Sequence, residues 1–191
     1  INTKNIITNF KNEKFDLIFI AGGWPELIKK KILSIPKFNG INIHPSYLPN
    51  FRGGDVNRWQ IYKGSKTTGI TIHLINEKFD TGKTILQKKI LLKEKNPIEL
   101  NIKLSLIASK MIKKLLNQNI DLKNLKKKEN SKNYYPKWNW LDQNFFYVKK
   151  NCYHNLEKFV NASFNIPNNF NGPFIKFNNQ KIIVRSCKIK K

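Results

Sequence analysis

Apolar positions along the chain fall into runs, alternations and helical stripes, and each predicts an element. Residues 15–21, Phe-Asp-Leu-Ile-Phe-Ile-Ala, form a nearly continuous apolar run that stops at Gly22-Gly23. That is the pattern of a strand buried on both faces, for which parallel sheet is the usual setting. Trp24-Pro25-Glu26 then opens a helix, with Pro25 in its first turn, Leu27, Ile28, Ile32 and Leu33 as its apolar stripe and Pro36 as its end. A short strand over 41–44 empties into a loop in which Pro45, Pro49 and the pair Gly53-Gly54 forbid regular structure. Residues 56–62 suit a short helix carrying Trp59, and 64–69 a turn. Residues 70–75 alternate and are β-branched, which predicts a strand, with 84–92 as its partner. From 97 to 117, Leu104, Ile107, Ala108, Met111 and Leu115 recur at helical spacing and predict a long amphipathic helix packed on the sheet.

Beyond that helix the pattern loosens. Residues 122–133, with Lys126-Lys127-Lys128, form a polar linker, for which a solvated connection is the ordinary reading and phosphate contact the alternative. An aromatic segment, 134–142, follows. A helix is predicted over 152–163, and 174–177 with 181–184 form a hairpin joined by Asn178-Asn179-Gln180. The polar tip at 41–44 beside an irregular loop matches where open α/β sheets keep their ligand sites.

Charge complicates this picture. The formal net charge is +24, which invites a nucleic-acid reading because Lys and Arg neutralise phosphates and release counterions. Yet 33 Lys, 27 Asn and 26 Ile among 191 residues look like a biased coding composition, and both halves of the chain are positive. Only three Arg occur. Two of them, Arg52 and Arg58, lie in and just after the glycine loop, where a Lys-rich background makes Arg look selected for its planar fork. No run of 18 apolar residues is present, and Cys152 and Cys187 lack the spacing of a zinc site or a disulfide framework. A cytoplasmic protein without membrane attachment or metal fits these features. The chain begins at Ile1 and reads as the later part of a longer frame.

The chemistry concentrates in two segments. The first runs Asn42-Ile43-His44-Pro45-Ser46-Tyr47-Leu48-Pro49-Asn50-Phe51-Arg52-Gly53-Gly54, and the second, Phe79-Asp80-Thr81-Gly82, places Asp80 36 positions after His44. These segments resemble the catalytic domain of the 10-formyltetrahydrofolate-dependent formyltransferases, a family that includes enzymes acting on methionyl-tRNA, amino sugars and glycinamide ribonucleotide. That family carries Asn-x-His-x-Ser-x-Leu-Pro, a Gly-rich loop and then Asp-x-Gly after another strand. The resemblance implies a Rossmann-like α/β fold with a mostly parallel sheet flanked by helices, here incomplete. It divides the chain into part of a catalytic domain (1–121), a linker (122–133) and the start of a small β-rich C-terminal domain (134–191).

Formyl transfer to an amine needs a stabilised oxyanion, a proton acceptor for the amine and a proton for the leaving nitrogen. The resemblance assigns Asn42 and His44 to the oxyanion, His44 also to proton shuttling, and Asp80 to orienting His44 or taking the amine proton. It places the pterin of 10-formyltetrahydrofolate against Gly23, Trp24 and Leu27 and against Glu77 and Phe79, although Trp24 and Leu27 read equally as core residues. Acceptor contacts are expected from Ser46, Arg52, Gly53, Gly54 and Trp59, with loop capping an equal alternative for Ser46. His73 is read as a packed or hydrogen-bonded strand residue, and His154 is given no role.

For the acceptor, Gly53-Gly54-Asp55 and Trp59 favour the sugar-modifying branch and thus a nucleotide-linked amino sugar, with initiator methionyl-tRNA the alternative. A reading of a different class is a silent nucleic-acid-binding module that stacks bases on Trp138, Trp140, Phe145, Phe146 and Tyr147. A third is a folate hydrolase with water as acceptor.

Overall fold

The computed structural model describes residues 15–22, 24, 26–118, 125, 133–138, 145–147, 153–163, 174–177 and 180–183, with backbone only for 145–147, 153–156, 174–177 and 180–183. Residues 1–14, Gly23, nearly all of 122–133, Trp140 and both cysteines lie outside the described residues.

Four strands form the sheet beneath the site: β1 (Ile18–Ala21), β2 (Gly40–His44), β4 (Thr67–Leu74) and β5 (Thr84–Leu91), in the order β1-β2-β4-β5. The β1–β2 pair is parallel, as the connection through a crossover requires, and β2–β4 and β4–β5 are antiparallel, so the described sheet is mixed. Strand β4 starts at Thr67, inside the predicted turn, because Thr67 and Thr68 pair with Leu91 and Ile90.

The period of two along β2 and β4 sorts their residues onto faces. Ile41, Ile43, Ile70 and Ile72 turn to one side and share a core with Leu100, Leu104, Ala108, Met111 and Leu115 of α3 (Pro97–Leu116). Asn42, His44, Thr71 and His73 occupy the alternate positions, and Asn42 lies directly across from His73. The helix α3 begins as its sequence dictates: Asn96 Oδ1 accepts from the backbone N–H groups of Ile98 and Glu99, and Pro97 occupies the first turn.

Two expectations need correction. The helix predicted after Trp24 is a single turn, α1 (Lys30–Leu33), whose Ile32 and Leu33 pack with Ile28, Trp24 and Ile75. Strand β1 is not buried on both faces. It is one of the two edge strands of the described sheet, and Phe19 and Ala21 are exposed while Ile18 and Ile20 are half-buried.

Over the sheet runs the glycine loop, containing the two-residue strand β3 (Arg52–Gly53), followed by α2 (Val56–Tyr62). Strand β3 pairs in parallel with β6 (Tyr134–Tyr135) from beyond the linker. Trp59, Tyr62, Tyr135, Trp138 and Phe159 form an aromatic cluster that joins α2 to this segment and to α4 (Tyr153–Ala162). The C-terminal hairpin is present as β8 (Phe174–Phe177) and β9 (Gln180–Ile183), and β7 (Phe145–Tyr147) adds in parallel to β8.

Candidate active site

Asn42 and His44 stand at the end of β2, His73 at the end of β4, and Asp80 in the loop between β4 and β5. The loop returns tightly because of Gly82, where a Cβ would overlap the carbonyl oxygen of Leu74. Asp80 itself adopts φ +53°, a left-handed conformation that aspartate tolerates better than most residues. The motif residue types thus answer to geometry: Asp at a left-handed position, Gly where two backbones touch.

Three groups converge on one oxygen. Asn42 Nδ2 donates to Asp80 Oδ1 at 3.2 Å, His44 Nδ1 lies 3.4 Å from that oxygen, and His73 Nε2 lies 3.6 Å from it. The other carboxylate oxygen, Oδ2, accepts the backbone N–H of Gly53 at 2.8 Å. Both ring tautomers follow from the carbonyls they meet. His44 Nε2–H donates to the carbonyl of Phe51 at 2.7 Å, and His73 Nδ1–H donates to that of Leu74 at 2.8 Å. In the neutral rings, His44 Nδ1 and His73 Nε2 are therefore lone pairs facing the aspartate. His73 Nε2 accepts from Asn42 Nδ2 at 3.2 Å, which also fixes which way the Asn42 amide points.

Burial sets the charges. It holds His44 below its ordinary pKa of 6.5, against the opposing pull of Asp80 and the Phe51 carbonyl, with His73 and Arg52 lowering it further. For Asp80 burial pushes upward, but the adjacent His73 and His44 and the Gly53 N–H outweigh it, and the carboxyl is held below 3.8. At neutral pH the cluster holds the Asp80 carboxylate beside a neutral His44 imidazole. A proton arriving at Nδ1 of His44 meets an adjacent negative charge.

The cluster opens into a cavity of about 630 Å³. Its lining includes apolar side chains, among them Trp24, Leu27 and Phe79, and polar or cationic ones, among them Asn57, Arg58 and Lys137. Asn42, His44, His73 and Asp80 line the same cavity, as do Gly53 and Gly54. Glu77 is exposed and faces a neighbouring groove instead.

Three residues expected at the acceptor do not line this cavity. Ser46 is fully buried, and its hydroxyl donates to the Asn50 carbonyl at 2.7 Å, the loop-capping alternative. Arg52 donates from Nε and Nη2 to the carbonyl of Phe79 at 3.3 and 3.1 Å, binding the glycine loop to the Asp80 loop. Trp59 is a buried core residue whose Nε1–H donates to the Pro136 carbonyl at 2.8 Å. Its helix turns the ring into the aromatic cluster, away from the cavity, a direction that residue type alone does not reveal.

His73 is the site residue that sequence reasoning undervalued. Its ring is hydrogen-bonded and packed, as expected of a strand histidine, and the same ring touches both Asn42 and Asp80. The signal was positional: in an antiparallel pair, the residue opposite Asn42 shares its face. Among the described residues no group of His, Cys, Asp or Glu is arranged to hold a metal ion.

Comparison with known proteins gives the following similarities. Residues 2–112 match the family model described as formyl transferase. A methionyl-tRNA formyltransferase from Ehrlichia ruminantium is 42% identical over 105 residues, covering 54% of this chain and 34% of that protein. The chain thus spans about a third of that relative's length. Among solved structures, a sugar N-formyltransferase from a Shewanella species superposes with a TM-score of 0.71 at 22% identity, over 100% of this chain and 78% of that one. HypX from Aquifex aeolicus, in complex with tetrahydrofolic acid, gives 0.63 at 18% identity, over 94% of this chain and 30% of that one. The two structural likenesses are likenesses of fold.

Proposed function

The chain belongs to the formyl transferase family, and from that membership together with the cluster on Asp80 we propose that it moves a formyl group from 10-formyltetrahydrofolate to a primary amine. The observation that carries this reading is the convergence of Asn42, His44 and His73 on Oδ1 of Asp80 at the floor of the cavity. The folate binds against Trp24, Leu27 and Phe79, which suit a flat heteroaromatic ring, and the amine enters past the polar lining that includes Asn57, Arg58 and Lys137.

The residues divide the work by their donors and lone pairs. Asn42 is the half-buried amide of the cluster, and one of its two N–H groups, which bond Asp80 and His73 in this structure, exchanges that partner for the formyl oxygen as charge develops there. Asp80 takes the proton of the attacking amine, and His44 Nδ1 relays it to the leaving folate nitrogen. The Phe51 carbonyl keeps His44 in the tautomer this relay needs, because it occupies Nε2–H. His73 orients Asn42 and Asp80. His44 is thus a proton carrier in this scheme and not an oxyanion donor, since its ring nitrogens face Phe51 and Asp80.

Two acceptors each have a specific observation behind them. The 42% identity to a methionyl-tRNA formyltransferase supports initiator methionyl-tRNA. The Gly53-Gly54-Asp55 loop, together with the fold likeness to a sugar N-formyltransferase, supports a nucleotide-linked amino sugar. The position of Trp59 in the core removes one reason for preferring the sugar. The test offers the full-length protein 10-formyltetrahydrofolate with either a panel of nucleotide-linked amino sugars or methionyl-tRNA, and identifies the product by mass. A formamide on one acceptor identifies the branch; formate release without amine transfer would replace the proposal by hydrolysis.

A further inference from the structure

The segment 134–138, beyond the residues that the family model matches, is bonded to the glycine loop through Tyr134, Tyr135 and Trp138. Gly53 pairs with Tyr135, and a Cβ at Gly53 would overlap the Tyr135 carbonyl oxygen. The backbone N–H of Gly54 donates to that same carbonyl at 2.9 Å. Asp55 Oδ2 accepts the backbone N–H of Trp138 at 2.8 Å, and Phe51 stacks on Tyr135 with ring centroids 5.0 Å apart.

The other side of the same loop holds the cluster. The Phe51 carbonyl fixes His44, the Gly53 N–H fixes Asp80, and Arg52 fixes the backbone just before Asp80. Phe51 and Asp55 hold positive φ angles of 54° and 46°; aspartate tolerates that region, but a bulky residue such as Phe51 does not favour it. Something outside the loop must hold it.

We propose that the strap 134–138 is a positioning element of the active site, clamping residues 51–55 onto His44 and Asp80, with Asp55 as the side-chain latch. Asp55 stands at the N-terminus of α2 and makes no side-chain cap bond there; its Oδ2 is spent on the strap. The inference rests on the formyl-transfer reading for its kinetics, and a spectroscopic measurement makes it independent of that reading.

The test compares three variants of Asp55 in the full-length protein. Asp55→Ala loses the latch and suits the left-handed backbone poorly. Asp55→Gly relieves the backbone but still lacks the latch. Asp55→Asn keeps both an oxygen acceptor and left-handed tolerance. Misplacing a catalytic group by about 1 Å can cost about 10²-fold in rate. Asp55→Ala and Asp55→Gly are expected to lower kcat by about 10-fold or more, with KM for the folate changed less than about 2-fold. Asp55→Asn is expected to recover most of that loss, and the proton-NMR titration midpoint of His44 is expected to move in Ala and Gly but not in Asn.

If Asp55→Gly keeps wild-type kcat and His44 titration, the latch is irrelevant and the proposal falls. Loss in Asp55→Asn equal to that in Asp55→Ala would show that the charge itself acts, and would also overturn it. Should Asp55→Ala fail to fold, Asp55→Gly decides alone. Absence of formyl transfer in the wild type would overturn the activity, while the His44 titration would still test the strap.

Discussion

Asp80 Oδ1 is the atom on which the cluster turns. Because the folded protein keeps both Asp80 and His44 below their ordinary pKa values, each contributes stability at neutral pH that acid removes. Below about 6.5 the unfolded chain takes up a proton at His44 that the folded one resists, so unfolding gains as pH falls; a second loss follows as Asp80 protonates, below 3.8. Urea unfolding of the wild type is expected to show stability declining from pH 7 to pH 5. In His44→Gln that decline is expected to be shallower, and an equal slope would remove His44 from the account. His73→Gln is expected to lower kcat by weakening the hold on Asn42 and Asp80, while leaving KM for the folate nearly unchanged; steady-state kinetics reads the split. The meeting of Asn42, His44 and Asp80 in one cluster was legible in the sequence because the two motifs that hold them resemble those of one family. His73 was not, since its place depends on the register between two strands, which the spacing of either alone does not fix.

At the scale of elements, the site depends on loops held against strand ends. Gly82 lets the Asp80 loop lie against Leu74, so Gly82→Ala is expected to displace Asp80, lower kcat by about 10²-fold and reduce the unfolding free energy measured in urea. Wild-type kinetics in that variant would mean that the contact is dispensable. Strands β2, β4 and β5 and helix α3 were readable because periods of two and 3.6 each place an apolar face toward one core. Strand β1 and helix α1 were readable in type but not in burial or length. An apolar run reports only that a strand forms, and the cover over each face is tertiary. The same limit applied to Trp59, Ser46 and Arg52. Their residue types suggested ligand contacts, and their neighbours turned them to the core, to the loop backbone and to the Phe79 carbonyl.

For the whole molecule, the glycine loop ties the sheet to the strap, and α2 ties both to α4, where Arg58 Nη1 donates to the Ala162 carbonyl at 2.7 Å. A basic composition of +24 says little about function beside that geometry, because the Lys excess runs through both halves of the chain. No helix among the described residues is long and apolar enough to cross a membrane. The proposed formyl transfer by the Asn42, His44 and Asp80 cluster is tested by the rate at which the full-length protein converts 10-formyltetrahydrofolate to tetrahydrofolate in the presence of the identified amine, for the wild type and for Asn42→Ala. Loss of a preorganised oxyanion donor predicts a fall in kcat of about 10²- to 10³-fold with the fold intact by circular dichroism. An unchanged rate in Asn42→Ala would contradict the account.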